Sequence, residues 1–176
     1  MRHADRRAPS DIHQGPRTVQ PGLKTSAERA EVSGPGMRAF LTIADKWGLS
    51  EDQRLAALGR PGRSTYHGWA AKARSGAEIN LPLDTLLRIS AVLGIHKALR
   101  IVFVDDAVAI GWLKSPNAGL VFGGQAPIDL VTSGTQDGLM LVRRHLDAWR
   151  GGQFAAPIRG YDDTVEPITD ADIVFL

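Results

Sequence analysis

The chain has 176 residues, of which 43% are hydrophobic, 23% are charged and 6% are aromatic, and its formal net charge at pH 7 is +2. This length and composition suit one compact domain, or two very small ones with tails. The chain contains no cysteine, which excludes disulfides, thiolate metal sites and a cysteine nucleophile. No apolar run is long enough for a signal-peptide core or a membrane span, so a cytoplasmic protein is expected.

The charge is unevenly distributed along the chain. Residues 153–176 carry one basic and five acidic side chains, whereas the rest of the chain is mildly basic. A basic body followed by an acidic tail indicates two kinds of partner.

Helical periodicity is absent at the start of the chain and begins only at Met37. Residues 1–36 contain closely spaced prolines and glycines and are predicted to be a disordered leader. This leader is either an inert linker or a site at which proteases begin degradation. From Met37 to Trp47 apolar residues recur at helical spacing, and Gly48 is expected to end this helix.

Two further helices are predicted close behind. Ser50 and Gln53 form a capping-box pattern that starts a second helix, and Gly59 is expected to end it. After a short break, Ser64 is expected to cap a third helix that runs through Ala73.

The second half of the chain also predicts helices, on the evidence of leucine spacing, capping residues and terminal glycines. They are placed at 83–94, 96–103, 105–113, 127–134 and 139–149. No sustained alternation typical of a strand is present, so the predicted fold is all-α.

The segment 50–74 has the plan of a helix-turn-helix, with a capped helix, a short turn and a second helix. Five basic residues and no acid lie between Gln53 and Ala77. Recognition helices contact DNA mainly through their N-terminal residues, and here these carry hydrogen-bonding side chains. The candidate DNA contacts are therefore Arg60, Arg63, Ser64, Thr65, Tyr66, His67, Lys72 and Arg74.

The alternative interpretation of this segment is an ordinary helical hairpin with a basic, solvated face. Helix-turn-helix patterns also arise by chance. One recognition helix reads only a few base pairs, so specific DNA recognition would require a dimer.

A longer, ordered series of motifs runs through residues 37–152. It comprises Trp47-Gly48-Leu49-Ser50, Leu58-Gly59, Ser64-Thr65-Tyr66, Leu83-Asp84-Thr85-Leu86, Leu93-Gly94-Ile95, Trp112-Leu113-Lys114-Ser115-Pro116-Asn117, Phe122-Gly123-Gly124, Pro127-Ile128-Asp129-Leu130 and the final helix with Leu146 and Trp149. In this order and spacing the chain resembles the Xre/MbcA/ParS antitoxins of bacterial toxin–antitoxin systems.

The resemblance implies an Xre-like helix-turn-helix domain at 37–104 and a small helical toxin-binding domain at 105–152. The leader and the acidic tail, 153–176, lie outside it. Antitoxins of this family pair with RES-domain toxins, which consume NAD, and cover the entrance to the toxin's active site. They also dimerise and repress their own operon, so the resemblance implies a protein that is no enzyme and needs no cofactor.

The toxin-binding surface is expected in loops of residues 111–152 and in the tail, with Trp112, Leu146 and Trp149 interpreted as core. The candidate toxin contacts are Asn117, Phe122, Gly123, Gly124, Asp129, Glu166, Asp170 and Asp172. For the tail two interpretations stay open. It is either a disordered, solubilising end, or it docks onto the toxin with its carboxylates in place of the phosphates of NAD.

Two other functions fit the same pattern. One is a stand-alone helix-turn-helix repressor without a toxin, and the other is an antitoxin that has lost DNA binding. No pair of the five histidines has metal-ligand spacing, and no nucleophile elbow is present. A metal site and a catalytic site are therefore not expected.

Overall fold

The structure is a computed structural model that describes residues 25–151, and this part of the chain is all-helical, as predicted. Its helices are α1 (Ser26–Lys46), α2 (Glu51–Ala57), α3 (Arg63–Ser75), α4 (Leu83–Val102), α5 (Asp106–Lys114), α6 (Pro127–Val131) and α7 (Gln136–Arg150).

Helix α1 begins eleven residues earlier than Met37, so the prediction of a disordered leader is wrong for residues 26–36. Thr25 starts the helix through a capping box with Glu28. Pro35 lies inside the helix, where its missing N–H costs one backbone hydrogen bond. Packing against the rest of the protein offsets that cost, because Ser33 is fully buried and its hydroxyl accepts a hydrogen bond from the Leu81 amide at 3.0 Å.

Helix α2 starts as predicted. The Ser50 amide donates to Gln53 Oε1 at 2.9 Å, and the Gln53 amide donates to Ser50 Oγ at 3.3 Å. The prediction that Ser64 caps α3 is wrong, since the N-cap is Gly62 and no side chain caps this helix.

Helix α4 is continuous, although the sequence predicts a break at Gly94. The space beside this glycine is occupied by the side chain of Arg143, which lies on α7. A Cβ atom at Gly94 would lie 2.1 Å from a guanidinium nitrogen of Arg143. The same guanidinium donates to the Ser90 carbonyl at 3.2 Å, so the Arg143 side chain occupies the space that a larger residue at position 94 would need.

The described helices share one hydrophobic core with α4 at its centre. Helix α4 packs against α1 and α2 as well as α5 and α7. Contacts from Arg88 to Gly134, from Ser90 to Arg143 and from the end of α4 to Trp149 show that α7 runs parallel to α4. The N-terminal and C-terminal halves therefore both pack on this helix.

Candidate functional site

Helices α2 and α3 form a helical pair joined by a tight turn. The turn contains Gly59 with φ of 87° and Arg60 with φ of 60°, and non-glycine residues seldom adopt the left-handed conformation. Helix α3 buries Tyr66, Ala70 and Ala73 at helical spacing, and these residues fix its position on the core.

The opposite face of α3 is exposed. It carries short or hydrogen-bonding side chains near its start, namely Ser64, Thr65 and His67, and a basic residue, Lys72, near its end. Gly68 lies between them, and a Cβ atom at this position would meet no atom within 4 Å. This face presents little steric bulk to an approaching ligand.

The basic start of α3 faces acidic side chains of α2. Arg63 forms ion pairs with Glu51 and with Asp52, the latter at 2.6 Å. His67 Nε2 lies 3.3 Å from Glu51 Oε2. Both acids immediately precede the acid-free segment seen in the sequence, and the turn of the chain brings them onto Arg63.

Two arginines, one on α4 and one in the α2–α3 turn, hold the loop between α6 and α7. Arg88, on α4, donates to the Gly134 carbonyl at 3.1 Å and to Asp84 Oδ2 at 2.8 Å. Arg60 donates to the Ser133 carbonyl at 3.4 Å. Gly134 has φ of 90°, which favours glycine, and a Cβ atom there would lie 2.8 Å from Arg60 Nε.

The C-terminal helices enclose a cluster of aromatic rings, which we call the aromatic cluster: Phe103, Trp112, Phe122, His145 and Trp149. The His145 imidazole stacks on Trp112 with an interplanar angle of 11°, and it meets Phe122 edge-on at 4.8 Å. Phe122 is 3% exposed, whereas both tryptophans are only partly buried.

The loop 117–125 is closed by its own backbone. The Asn117 amide donates to the Gln125 carbonyl at 3.1 Å, and the Gly124 amide donates to the Asn117 carbonyl at 2.9 Å. The Asn117 side-chain oxygen accepts from the Gly119 amide at 2.9 Å. Gly123 and Gly124 have φ of 56° and 87°, values that favour glycine.

Comparisons with known proteins assign both halves of this architecture. Residues 26–94 match the antitoxin Xre-like helix-turn-helix domain, and residues 98–152 match the antitoxin Xre/MbcA/ParS C-terminal toxin-binding domain. The chain belongs to the Xre/MbcA/ParS antitoxin family. The antitoxin therefore has a helix-turn-helix domain of the kind that binds DNA, followed by a toxin-binding domain. Both domains are regulatory rather than enzymatic, as predicted.

The antitoxin is also similar to the uncharacterized protein y4oB of Sinorhizobium fredii (strain NBRC 101917 / NGR234). The two are 40% identical over 131 residues, which make up 74% of this chain and 95% of the relative. The similarity therefore extends over nearly the whole of that protein.

The structure changes the interpretation of some candidate DNA contacts. Tyr66 is 4% exposed, so its side chain is part of the core, contrary to the prediction. Arg60 is directed to Ser133 and thus has a partner within the antitoxin. The other candidates are exposed and stay predictions as DNA contacts: Arg63, Ser64, Thr65, His67, Lys72 and Arg74.

The candidate toxin contacts are likewise divided. The sequence predicts that Phe122 touches the toxin, but this ring is buried beneath its loop. Asn117 is partly buried and uses its polar groups to close the loop. Gly123, Gly124 and Asp129 are exposed and stay predictions. The tail candidates Glu166, Asp170 and Asp172 lie outside the described residues.

Burial lowers the pKa of two histidines of the antitoxin. Burial in the aromatic cluster penalises the charged imidazolium of His145 and lowers its pKa. For His96 burial is again the main cause of the lowered pKa, with Lys46 and Arg100 contributing in the same direction. Both side chains are therefore more readily neutral in the folded antitoxin than in the unfolded chain.

Metal-binding clusters and membrane-spanning helices are both absent from residues 25–151. This part of the chain contains no group of three or more His, Cys, Asp or Glu residues arranged to hold a metal ion. None of its helices is long and apolar enough to cross a membrane.

Proposed function

We propose that this antitoxin neutralises an NAD-consuming RES-domain toxin by covering the entrance to its active site, and that it represses its own operon as a homodimer. The observation that carries the proposal is the packing of a helix-turn-helix and a toxin-binding domain on one shared helix, α4. Such a chain is suited to binding two partners, and it needs no cofactor for either.

The DNA-binding half of the proposal is supported by the exposed face of α3. Ser64, Thr65 and His67 offer hydrogen bonds near the N-terminus of this helix, where recognition helices contact base edges. Lys72 and Arg74, in the last turn, provide positive charge for phosphates. A homodimer places two such helices on DNA and doubles the length of sequence that is recognised.

The toxin-binding half is proposed to act by steric occlusion. The surface comes from residues 111–152, with Gly123, Gly124 and Asp129 among its exposed positions. Glu166, Asp170 and Asp172 of the tail are proposed to approach the toxin's substrate cleft, where carboxylates would take the place of the phosphates of NAD. Charge complementarity supports this step, because a cleft that binds NAD phosphates is expected to be basic.

The decisive experiment is expression of the neighbouring gene product in bacteria with and without the antitoxin. We expect the neighbour alone to lower the cellular NAD level and stop growth, and the antitoxin to bind it and restore both. A neighbour that is harmless alone, or that the antitoxin does not bind, would overturn the toxin-binding half and leave a stand-alone repressor.

A further inference from the structure

The exposed apolar residues of the antitoxin are concentrated in one domain. Within residues 25–151 seven large hydrophobic side chains are exposed, and five of them belong to the segment 98–152. These five are Ile101, Val104, Val108, Leu120 and Val121. Single exposed apolar residues are ordinary in soluble proteins, whereas a cluster of them indicates a binding surface.

Four of these residues lie close to members of the aromatic cluster along the chain, and Leu120 is two residues before Phe122. Val108 precedes Trp112 by four residues on α5 and therefore lies on the same helix face. Val104 is the chain neighbour of Phe103, and Val121 is the chain neighbour of Phe122. Both of these phenylalanine rings lie 5.9 Å from the Trp112 ring. We call Val104, Val108, Leu120 and Val121 the apolar rim.

The loop that carries Leu120 and Val121 is held in place before any partner arrives. Leu120 is 103% exposed, yet the loop that carries it is closed by backbone hydrogen bonds between Asn117 and the pair Gly124 and Gln125. Phe122, buried in the aromatic cluster, anchors the same loop. A preformed apolar surface loses little conformational entropy on binding.

We propose that the apolar rim is the surface on which the toxin docks. The toxin then offers an uncharged, apolar recess that receives Leu120 and Val108, and Trp112 and Trp149 lose their remaining exposure beside it. Partly exposed tryptophans are typical of residues that dominate interface energy. The rim lies in the segment that matches the toxin-binding domain and outside the helix-turn-helix match, which favours the toxin over a second copy of the antitoxin. This inference rests on the proposed function.

The test compares full-length variants in their binding to the purified product of the neighbouring gene. The double variant Val108→Asp with Leu120→Asp places two charges in the rim. We expect the dissociation constant, measured by calorimetry, to rise at least about a hundredfold. The matched control is Leu87→Asp on α4, which changes a similarly exposed apolar residue outside the toxin-binding match and should leave the constant within about threefold of the wild-type value.

Three further outcomes distinguish the alternatives. If the double variant binds operator DNA normally, it is folded, and its loss of toxin binding supports the proposal. If toxin binding is unchanged, the proposal is overturned, and a dimer that falls to a monomer by light scattering then assigns the rim to a second copy. If the wild-type antitoxin itself fails to bind the neighbour, the proposed function is overturned and this inference with it.

Discussion

Arg63 lies at the start of the proposed recognition helix, and its charge is already engaged by Glu51 and Asp52. A DNA phosphate that approaches Arg63 competes with two carboxylates for the same guanidinium. Such exposed pairs contribute little to stability, because water screens them. In the proposed complex with DNA, these acids would lower the net positive charge that α3 presents.

Gly68 gives the most direct test of where DNA lies. Alanine at this exposed helical position is expected to raise the free energy of unfolding by about 0.5–1 kcal/mol, because glycine is a poor helix former. The added methyl group is expected to weaken operator binding about fivefold or more, equivalent to about 1 kcal/mol, by blocking close approach. Chemical denaturation and fluorescence anisotropy measure the two effects.

Gly111 provides the control for this substitution, since it is also helical and exposed and a Cβ atom there would meet nothing within 4 Å. Gly111→Ala should stabilise the fold equally and leave operator affinity unchanged. Equal affinities of the two variants for DNA would mean that the Gly68 face of α3 does not approach DNA.

His145 makes stability depend on pH. Its pKa is lowered in the folded state, so the unfolded chain binds the proton more tightly. Stability is therefore full above the unfolded pKa of about 6.5 and is lost as the pH falls from there toward the folded pKa. Denaturation midpoints measured between about pH 8 and pH 5.5, which bracket that value, should fall for the wild type and fall less for His145→Gln.

His96, whose pKa is also lowered in the folded antitoxin, should share the effect, so His96→Gln should also be less sensitive to pH than the wild type. A His145→Gln variant as pH-sensitive as the wild type would show that the cluster does not oppose protonation of this imidazole.

At the scale of helices, α4 connects the two halves of the antitoxin. Its side chains belong to the shared core, and its Arg88 is 8% exposed while it holds the Gly134 carbonyl. A buried charge is tolerated only when it is paired and hydrogen-bonded, and here Asp84 and a backbone carbonyl provide both. Arg88 thus ties α4 to the loop that precedes α7, and Arg60 ties the α2–α3 turn to the same loop.

Removal of the Arg88 side chain should measure how much its contact with the Gly134 carbonyl contributes to stability. Arg88→Ala is expected to lower the free energy of unfolding by about 1–3 kcal/mol, because it leaves the partly buried Gly134 carbonyl without its donor. Arg100→Ala, an exposed position on the same helix, should change it by less than about 0.5 kcal/mol. Urea denaturation of both variants measures the two changes in the free energy of unfolding. Equal changes would mean that the Arg88 side chain contributes no more to stability than a surface residue.

At the scale of the whole molecule, the proposed homodimer should bind its operator with strong dependence on salt. Neutralised phosphates release counterions, so several such phosphates per dimer lower the affinity by on the order of a thousandfold between about 50 and 200 mM salt. Lys72→Ala should reduce the slope of log affinity against log salt by about one for each phosphate that this lysine neutralises. A flat salt response in the wild type would contradict the DNA-binding proposal.

Local features of the chain were predictable from its sequence by itself. The capping box at Ser50, the all-helical fold and the first-turn position of Pro127 follow from short-range chemistry, in which neighbouring residues satisfy one another's backbone groups. The ordered motifs also identified the family, because their residues start, end and connect the helices of this fold.

Contacts between residues far apart in the chain decided the features that the sequence predicted wrongly. The glycines and proline near the start of α1 predict disorder, but Ser33 binds the Leu81 amide and the segment is helical. Gly94 predicts a helix end, but α4 continues through it, and the side chain of Arg143 on α7 occupies the space beside it. Tyr66 and Phe122 have the chemistry of surface contacts and are buried, since large rings lower the free energy most when neighbouring helices remove them from water. Periodicity reports which residues share a face, and only the packed tertiary structure decides what that face touches.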